Sequence, residues 1–453
     1  MTYPDDILFV SANRYCDPYP VYPLGVSYLT TYLRNRDPRM GITVFDFNCS
    51  STDDFIALLK SHRFRFLCIS LRNIDDTNIY SKNSFVGWYK EIISTARQYT
   101  DATVIVGGAG FSIFPAELYD DLKPDFGITG EGEASLYELM VNLTNGTDIS
   151  QTEGLVFKDG DRVKINPKGK TLDTIDLNFE ESLTGFYWQK SGMLNIQTKR
   201  GCPYNCIYCS YPIIDGRRVR TFDTGRIVHE LKVMKDTYGI DYVLFTDSVF
   251  NIRNNYNIEL AESIIKSGLK IRWGAYFSHA DFEKEHLRLF RDAGLTHIEF
   301  GTDSLSDTQL RNYGKSFNVD QVIKNSAMCN EAGVFFAHFL IFGGYGETDQ
   351  TIDESFENSK LIENTVFFPY VGMRIYPGTE LFEKAVAEGR VHNARELLNP
   401  VYYVSESVTI EKLKEKAALT GKRWVFPDFD NSAVMLKLRA RNKKGPLWEY
   451  LRQ

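Results

Sequence analysis

The 453-residue sequence lacks any run of roughly 18 uncharged apolar residues, and its start, MTYPDDILFVSANRYCDPYP, lacks a basic segment followed by a long apolar one. Neither a membrane-spanning helix nor a secretion signal is expected, and the location predicted is cytoplasmic. Excess positive charge is missing too: 59 Asp and Glu outweigh 52 Lys and Arg, giving a net charge of -7. Such a chain has no global attraction for phosphate backbones, so nucleic acid is not an expected partner. Cysteines are few and odd in number, at 16, 49, 68, 202, 206, 209 and 329, which argues against a disulfide framework. Internal repeats and low-complexity tracts are absent.

At 43% hydrophobic residues the chain can build two or three cores. Residues 1–150 alternate short apolar runs (DILFVSA, ITVFDF, RFLCIS, ATVIVGG, DFGITG) with amphipathic stretches, predicting a doubly wound, Rossmann-like parallel α/β sheet. Ligands of such sheets sit at the carboxyl ends of the strands, where Gly107, Gly108 and Gly110, and Gly130, Glu131 and Gly132, fall. A linker with a hairpin around Lys158 to Asp161 is placed at 151–190. Over 191–385 the alternation resumes with MLNIQT, DYVLFT, IRWGAYF, THIEFG, VFFAHFLIFG and TVFFPYVGMRIY, predicting a partial (β/α)6 barrel. Residues 386–453 form a small carboxyl-terminal region, possible substrate contacts included, with basic residues Lys437, Arg439, Arg441, Lys443 and Lys444 read as a solvated face.

Three of the seven cysteines crowd into TKRGCPYNCIYCSYP, where Cys202, Cys206 and Cys209 follow a predicted strand as C-x3-C-x2-C. Three thiolates on one loop can hold three corners of a cubane iron–sulfur cluster and leave the fourth iron open. Zinc also takes clustered thiolates, but zinc loops usually pair two C-x2-C knuckles or add a fourth ligand, and no second knuckle exists here.

The loop resembles the signature of the radical S-adenosylmethionine (SAM) superfamily, and the resemblance implies a [4Fe–4S] cluster that chelates and cleaves SAM to a 5′-deoxyadenosyl radical. It implies that Tyr208 packs near the adenine. FTDSVFN resembles the segment that meets the methionyl amine, implying Thr246, Asp247 and Ser248, although the family's usual Gly-Gly-Glu is absent. HIEFGTDSLSDTQL resembles the fourth-strand segment and implies contacts from Glu299 or Asp303. LIFGGYGETDQT resembles the fifth-strand glycine segment, implying Ile341, Gly343 and Gly344 beside the adenosyl group. RIYPGTEL makes Arg374 either a polar lining residue or a structural salt-bridge partner.

Ahead of the barrel, NRYCDPYPVYPLGVSYLTTYL, CISLRN, IVGGAGFSIFP and GITGEGE resemble the amino-terminal domain of cobalamin-dependent radical SAM enzymes. A dinucleotide fold is disfavoured because no G-x-G-x-x-G follows the first strand. Also absent is D-x-H-x-x-G, which supplies cobalt with a histidine in other cobalamin enzymes. The resemblance places Ser70, Leu71 and Arg72 beside the corrin or its nucleotide tail, with Gly107, Gly108, Gly130 and Glu131 lining the rest. Arg72 either lies under cobalt as a cation that cannot coordinate, or caps its loop or pairs with Asp75 or Asp76.

Cys16, Cys49, Cys68 and Cys329 have no motif partners and are read as structural; His279 stays unassigned, and Tyr15, Tyr19, Tyr22 and Trp273 are read as core or interface residues. The resemblance implies a cobalamin-dependent radical SAM enzyme, read first as a methyltransferase acting on an unactivated carbon of a small-molecule, lipid or peptide substrate. An electron donor such as a flavodoxin or ferredoxin is an expected partner. Rearrangement, cyclisation or carbon–carbon coupling is the alternative. A methylthiotransferase acting on transfer RNA would want a further cysteine trio and a basic module, and a cobalamin-binding sensor would not need the three intact cysteines.

Overall fold

In the computed structural model, the residues described are 7–451 except 170, 174–175, 281, 407, 429–436, 439 and 442. Arg439 of the basic run, and Thr174 and Ile175 of the expected linker, lie outside them. The first sheet takes five parallel strands in the order β2-β1-β3-β4-β5: β1 (Ile7–Ser11), β2 (Ile42–Asp46), β3 (Phe66–Ser70), β4 (Thr103–Gly107) and β5 (Phe126–Ile128). Alternate residues serve opposite faces. Leu8, Leu67, Ile69, Val104 and Val106 enter one core, and Ile7, Phe9, Phe66, Cys68 and Ile105 enter the other. A sheet apolar on both sides must be covered on both, and helices do so. The order reverses between β1 and β3, so a ligand crevice opens at their carboxyl ends. The expected hairpin, β6 (Leu155–Asp159) and β7 (Arg162–Ile165), extends this sheet by pairing antiparallel with β5.

The second sheet is wholly parallel, in the order β18-β15-β14-β13-β12-β11-β8. Its strands are β8 (Leu194–Ile196), β11 (Tyr242–Phe245), β12 (Arg272–Phe277), β13 (Leu295–Asp303), β14 (Phe335–Phe342), β15 (Val366–Val371) and β18 (Arg423–Trp424). Six were expected, and the seventh is donated by the carboxyl-terminal region. Two short antiparallel pairs, β9 (Lys199–Arg200) with β10 (Arg220–Thr221) and β16 (Met373–Arg374) with β17 (Tyr402–Tyr403), flank it. Ile196, Phe245, Trp273, Phe300, Phe336 and Leu340 pack into the main core. By alternation the other face, carrying Leu244, Tyr276, Glu299, Gly301, Phe339 and Tyr370, lines the lumen of a partial barrel. Among the described residues no helix is long and apolar enough to cross a membrane.

Candidate active site

The cysteine loop is held by its backbone. Gly201 has φ +93° and a Cβ there would strike the Arg218 carbonyl, so the approach to Cys202 requires glycine. The Cys202 amide donates to Gly216 (3.1 Å), the Ile207 amide to Tyr313 (3.1 Å), and the Leu381 amide to Ile207 (2.8 Å). Ser248 donates to the Gly201 carbonyl (3.1 Å). Asp247, fully buried, accepts from the Thr198 amide (2.7 Å), the Thr198 hydroxyl (2.5 Å) and the Lys199 ammonium (2.8 Å), bracing the strand that feeds the loop. Thr246 bonds back to Ile196. Of this trio, Asp247 is thus engaged by protein donors.

Cys202 is buried, and Cys206 and Cys209 are half-buried. Burial pushes both of the latter thiols up, Cys209 to about 12, with the neighbouring cysteines adding to it, so the three sulfurs feel one another. A cubane is gripped at separate corners, and its thiolates need not meet at one point. Among the described residues no three His, Cys, Asp or Glu converge as a single-ion site would require. The donor set therefore fits a cluster with an open iron.

Beside the loop, Tyr208 donates to Asp303, and Lys315 forms an ion pair with the same Asp303 oxygen at 2.6 Å. Asp303 occupies a left-handed backbone position, φ +64°, where β13 breaks register with β14. The Lys315 ammonium also lies near Cys206, and its charge opposes the desolvation of that thiol. Sequence reasoning missed Lys315, whose signal was only a lone Gly-Lys after a short helix. Ile341, Gly343 and Gly344 lie behind the loop: the Tyr313 hydroxyl donates to Ile341 (3.1 Å), and a Cβ on Gly344 would meet the Tyr313 ring. Glu347 accepts from the Gly343 amide, and burial raises its pKa to about 8.

Glu299 lies deeper. Four residues below Asp303 on one strand, it is about 13 Å farther into the barrel. Trp448, from the carboxyl-terminal turn Leu447–Tyr450, donates its indole N–H to Glu299 (3.1 Å). Tyr242, His297 and Glu449 close the floor beneath, with 2.7 Å contacts from the Tyr242 hydroxyl to His297 and Glu449.

On the first domain, three loops are knit at the carboxyl edge. The Leu71 amide donates to Gly107 (2.8 Å) and the Gly110 amide to Leu71 (2.9 Å), while a Cβ on Gly108, φ +99°, would lie 2.8 Å from the Leu71 carbonyl. The Gly130 amide donates to Ser112 (2.9 Å). Ser70 ends β3. Glu131 is taken up by Arg220 and lies 3.5 Å from Arg200, and Arg200 also grips Glu133 at 3.0 Å, joining the glycine loops to β9 and β10. Arg72 projects from this edge, reached by water yet walled in by protein. Burial lowers its pKa, with the hydroxyls of Tyr276, Tyr211, Tyr187 and Tyr89 near enough to oppose the shift. Tyr211 follows the cysteine loop and Tyr276 faces the lumen, so the edge carrying Arg72 lies near the mouth of the barrel.

Neither carboxylate considered for Arg72 takes it. Asp75 pairs with Arg374, and Asp76 bonds Ser81 and Asn83. Arg374 is thereby the salt-bridge partner rather than a lining residue. His279 is structural: it stacks on Phe300 at 4.1 Å and bonds Thr302 on the helix-covered side, and burial lowers its pKa. Cys68 and Cys329 are buried, whereas Cys16 and Cys49 are exposed.

Residues 11–140 match the B12 binding domain family, and residues 196–358 match the radical SAM superfamily. An uncharacterized methyltransferase of Pyrococcus horikoshii is 26% identical over 81% of the chain and 78% of its own length. An anaerobic magnesium-protoporphyrin IX monomethyl ester cyclase of Cereibacter sphaeroides is 28% identical over 51% of the chain, which spans 39% of that protein. The radical SAM methyltransferase TsrM of Kitasatospora setae, solved with tryptophan substrate and a SAM analogue, shares the fold at TM-score 0.89 and 20% identity over 99% of this chain and 97% of that one.

Proposed function

With a B12 binding domain joined to a radical SAM domain, the chain is a cobalamin-dependent radical SAM enzyme using a [4Fe–4S] cluster, SAM and cobalamin, and we propose that it transfers a methyl group to an unactivated carbon of a small molecule. The observation that carries the reading is Arg72, a cation exposed at the carboxyl edge of the B12 domain with no ion-pair partner among the described residues, near Tyr211 of the cysteine loop. When bound, the cofactors supply a 5′-deoxyadenosyl radical for hydrogen abstraction and a methyl group carried by cobalt.

The chain's own residues shape what those groups do. Cys202, Cys206 and Cys209 would hold the cluster, and Asp303, Tyr208 and Lys315 fix the polar wall beside it. Gly107, Gly108 and Gly130 would lie along the edge that takes the corrin and its tail, Gly108 there to let its loop close on the Leu71 carbonyl. Histidine is missing where a lower ligand would come from. The sole histidine in residues 1–150, His62, caps the helix Thr52–Ser61 at the amino end of β3, the edge opposite Arg72. A guanidinium cannot coordinate a metal, so Arg72 would offer the cofactor a positive charge and no ligand, which would favour release of the methyl group it supplies. The methyltransferase names of the Pyrococcus relative and of TsrM support this reading.

The cyclase likeness favours a second reading, ring closure without methyl transfer, over the half of the chain it covers. The two separate by product mass. With SAM bearing a trideuteriomethyl group, methyl transfer yields a product carrying the label, whereas an unlabelled isomer or a loss of two hydrogens rejects it.

A further inference from the structure

The cysteine loop is approached by one cation from outside and one from within. Arg217 donates to the Tyr204 carbonyl (3.2 Å) and to the Asn205 Oδ1 (2.5 Å), but its side chain is exposed and water screens its charge. Lys315 is the inner one. The segment after the helix Asp307–Asn312 runs against the loop: the Ile207 amide donates to the Tyr313 carbonyl at 3.1 Å, and a Cβ on Gly314 would strike the Asn205 carbonyl. The next residue is Lys315, so the backbone delivers its ammonium beside Cys206. There it pairs with Asp303 at 2.6 Å and donates to the Gly301 carbonyl at 3.0 Å, with 9% and 6% of the Lys315 and Asp303 side chains exposed.

The two charges of this ion pair do not cancel at the sulfurs. Burial pushes the Cys206 and Cys209 thiols up; Lys315 opposes that rise at both, whereas Asp303 adds to it at Cys206, and by less than Lys315 takes away. The cysteines therefore feel a net positive field. Held out of water, that field is only weakly screened.

We infer that Lys315 raises the reduction potential of the [4Fe–4S] cluster on the cysteine loop, against an opposing pull from Asp303. On reduction one electron passes from the reductant to the cluster, one ferric iron becomes ferrous, no bond is made or broken, and the cluster gains one negative charge. A buried cation beside two of its thiolates stabilises that more negative state, and a buried anion destabilises it. Lys315 is thus a positioning residue that acts through the cluster, making it easier for an electron carrier to reduce. The inference rests on the cluster and not on methyl transfer.

The test is a potentiometric titration of the reconstituted holoenzyme without SAM or substrate, following the electron paramagnetic resonance signal of the reduced cluster, normalised to the cluster formed. At the potential where wild type is half reduced, Lys315→Gln should lower the ratio of reduced to oxidised cluster at least about tenfold, or about 59 mV for one electron. Asp303→Asn should raise that ratio. Lys315→Arg keeps the charge and should stay close to wild type. An unchanged potential in Lys315→Gln, a lowered one in Asp303→Asn, or an equal fall in Lys315→Arg and Lys315→Gln overturns the inference, because disturbed packing does not produce shifts of opposite sign. Where Lys315→Gln forms too little cluster to titrate, the direction of the shift in Asp303→Asn decides. Since no turnover is involved, the result stands apart from whether a methyl group is transferred.

Discussion

Arg374 reaches from the barrel to Asp75 in the first domain, Nε to Oδ2 at 2.8 Å, with 4% and 0% of the two side chains exposed. Three further bonds tie Arg374 to the Ile375, Val401 and Leu397 carbonyls. The pair fastens the domains together and takes up Asp75, one of the two carboxylates that stand near Arg72 in sequence.

Breaking that pair should lower stability. Arg374→Met leaves Asp75 buried and unpaired, a loss of about 3–5 kcal/mol in urea unfolding. Adding Asp75→Asn should restore part of it. If the double variant is no more stable than the single, the pair does not carry the interface energy.

Arg72→Ala should change the coordination spectrum of bound cobalamin, because removing the cation admits water or another lower ligand, and methyl transfer should fall at least about tenfold, the effect of a few kcal/mol of lost electrostatic stabilisation. Arg72→Lys keeps the charge and should retain more of both. An unchanged spectrum and rate in Arg72→Ala would remove Arg72 from the cobalt face.

Lys315→Met strips Asp303 of its ion-pair partner and Cys206 of a nearby positive charge. Iron and sulfide retained per chain after reconstitution should drop, with Lys315→Arg intermediate. Tyr208→Phe loses one bond to a charged group, about 1.5–3 kcal/mol, and should be milder for the cluster than Lys315→Met. Equal iron content across the three would contradict a role for this triad at the loop.

Glu347 makes stability depend on pH. Its folded pKa is raised from 4.5 to about 8, so between those values the folded state holds a proton that the unfolded state has released. Its contribution to stability therefore falls as pH rises through that window. Glu347→Gln should flatten this part of the profile, measured as urea midpoints at pH 5 and 8.

Much of this was legible in the sequence for a local reason. The C-x3-C-x2-C loop and the apolar runs declare themselves within a few residues, so the loop follows the first barrel strand and the six expected strands stand where they were placed. Lys315, Trp448 and Asp75 were not legible, because their partners lie 12, 149 and 299 residues away. β18 is two residues long, too short for any period, and the hairpin shows which sheet it joins only by pairing with β5. Glu131 fell at a strand's carboxyl end as expected, yet only the fold reveals Arg200 and Arg220 beside it.

The most direct test of methyl transfer needs no substrate: anaerobic reconstitution with iron, sulfide and cobalamin, then SAM, a reductant and chromatography of the adenosyl products. A methyltransferase should form S-adenosylhomocysteine in an amount matching the bound cobalamin, and none when cobalamin is left out. 5′-Deoxyadenosine without S-adenosylhomocysteine would contradict it.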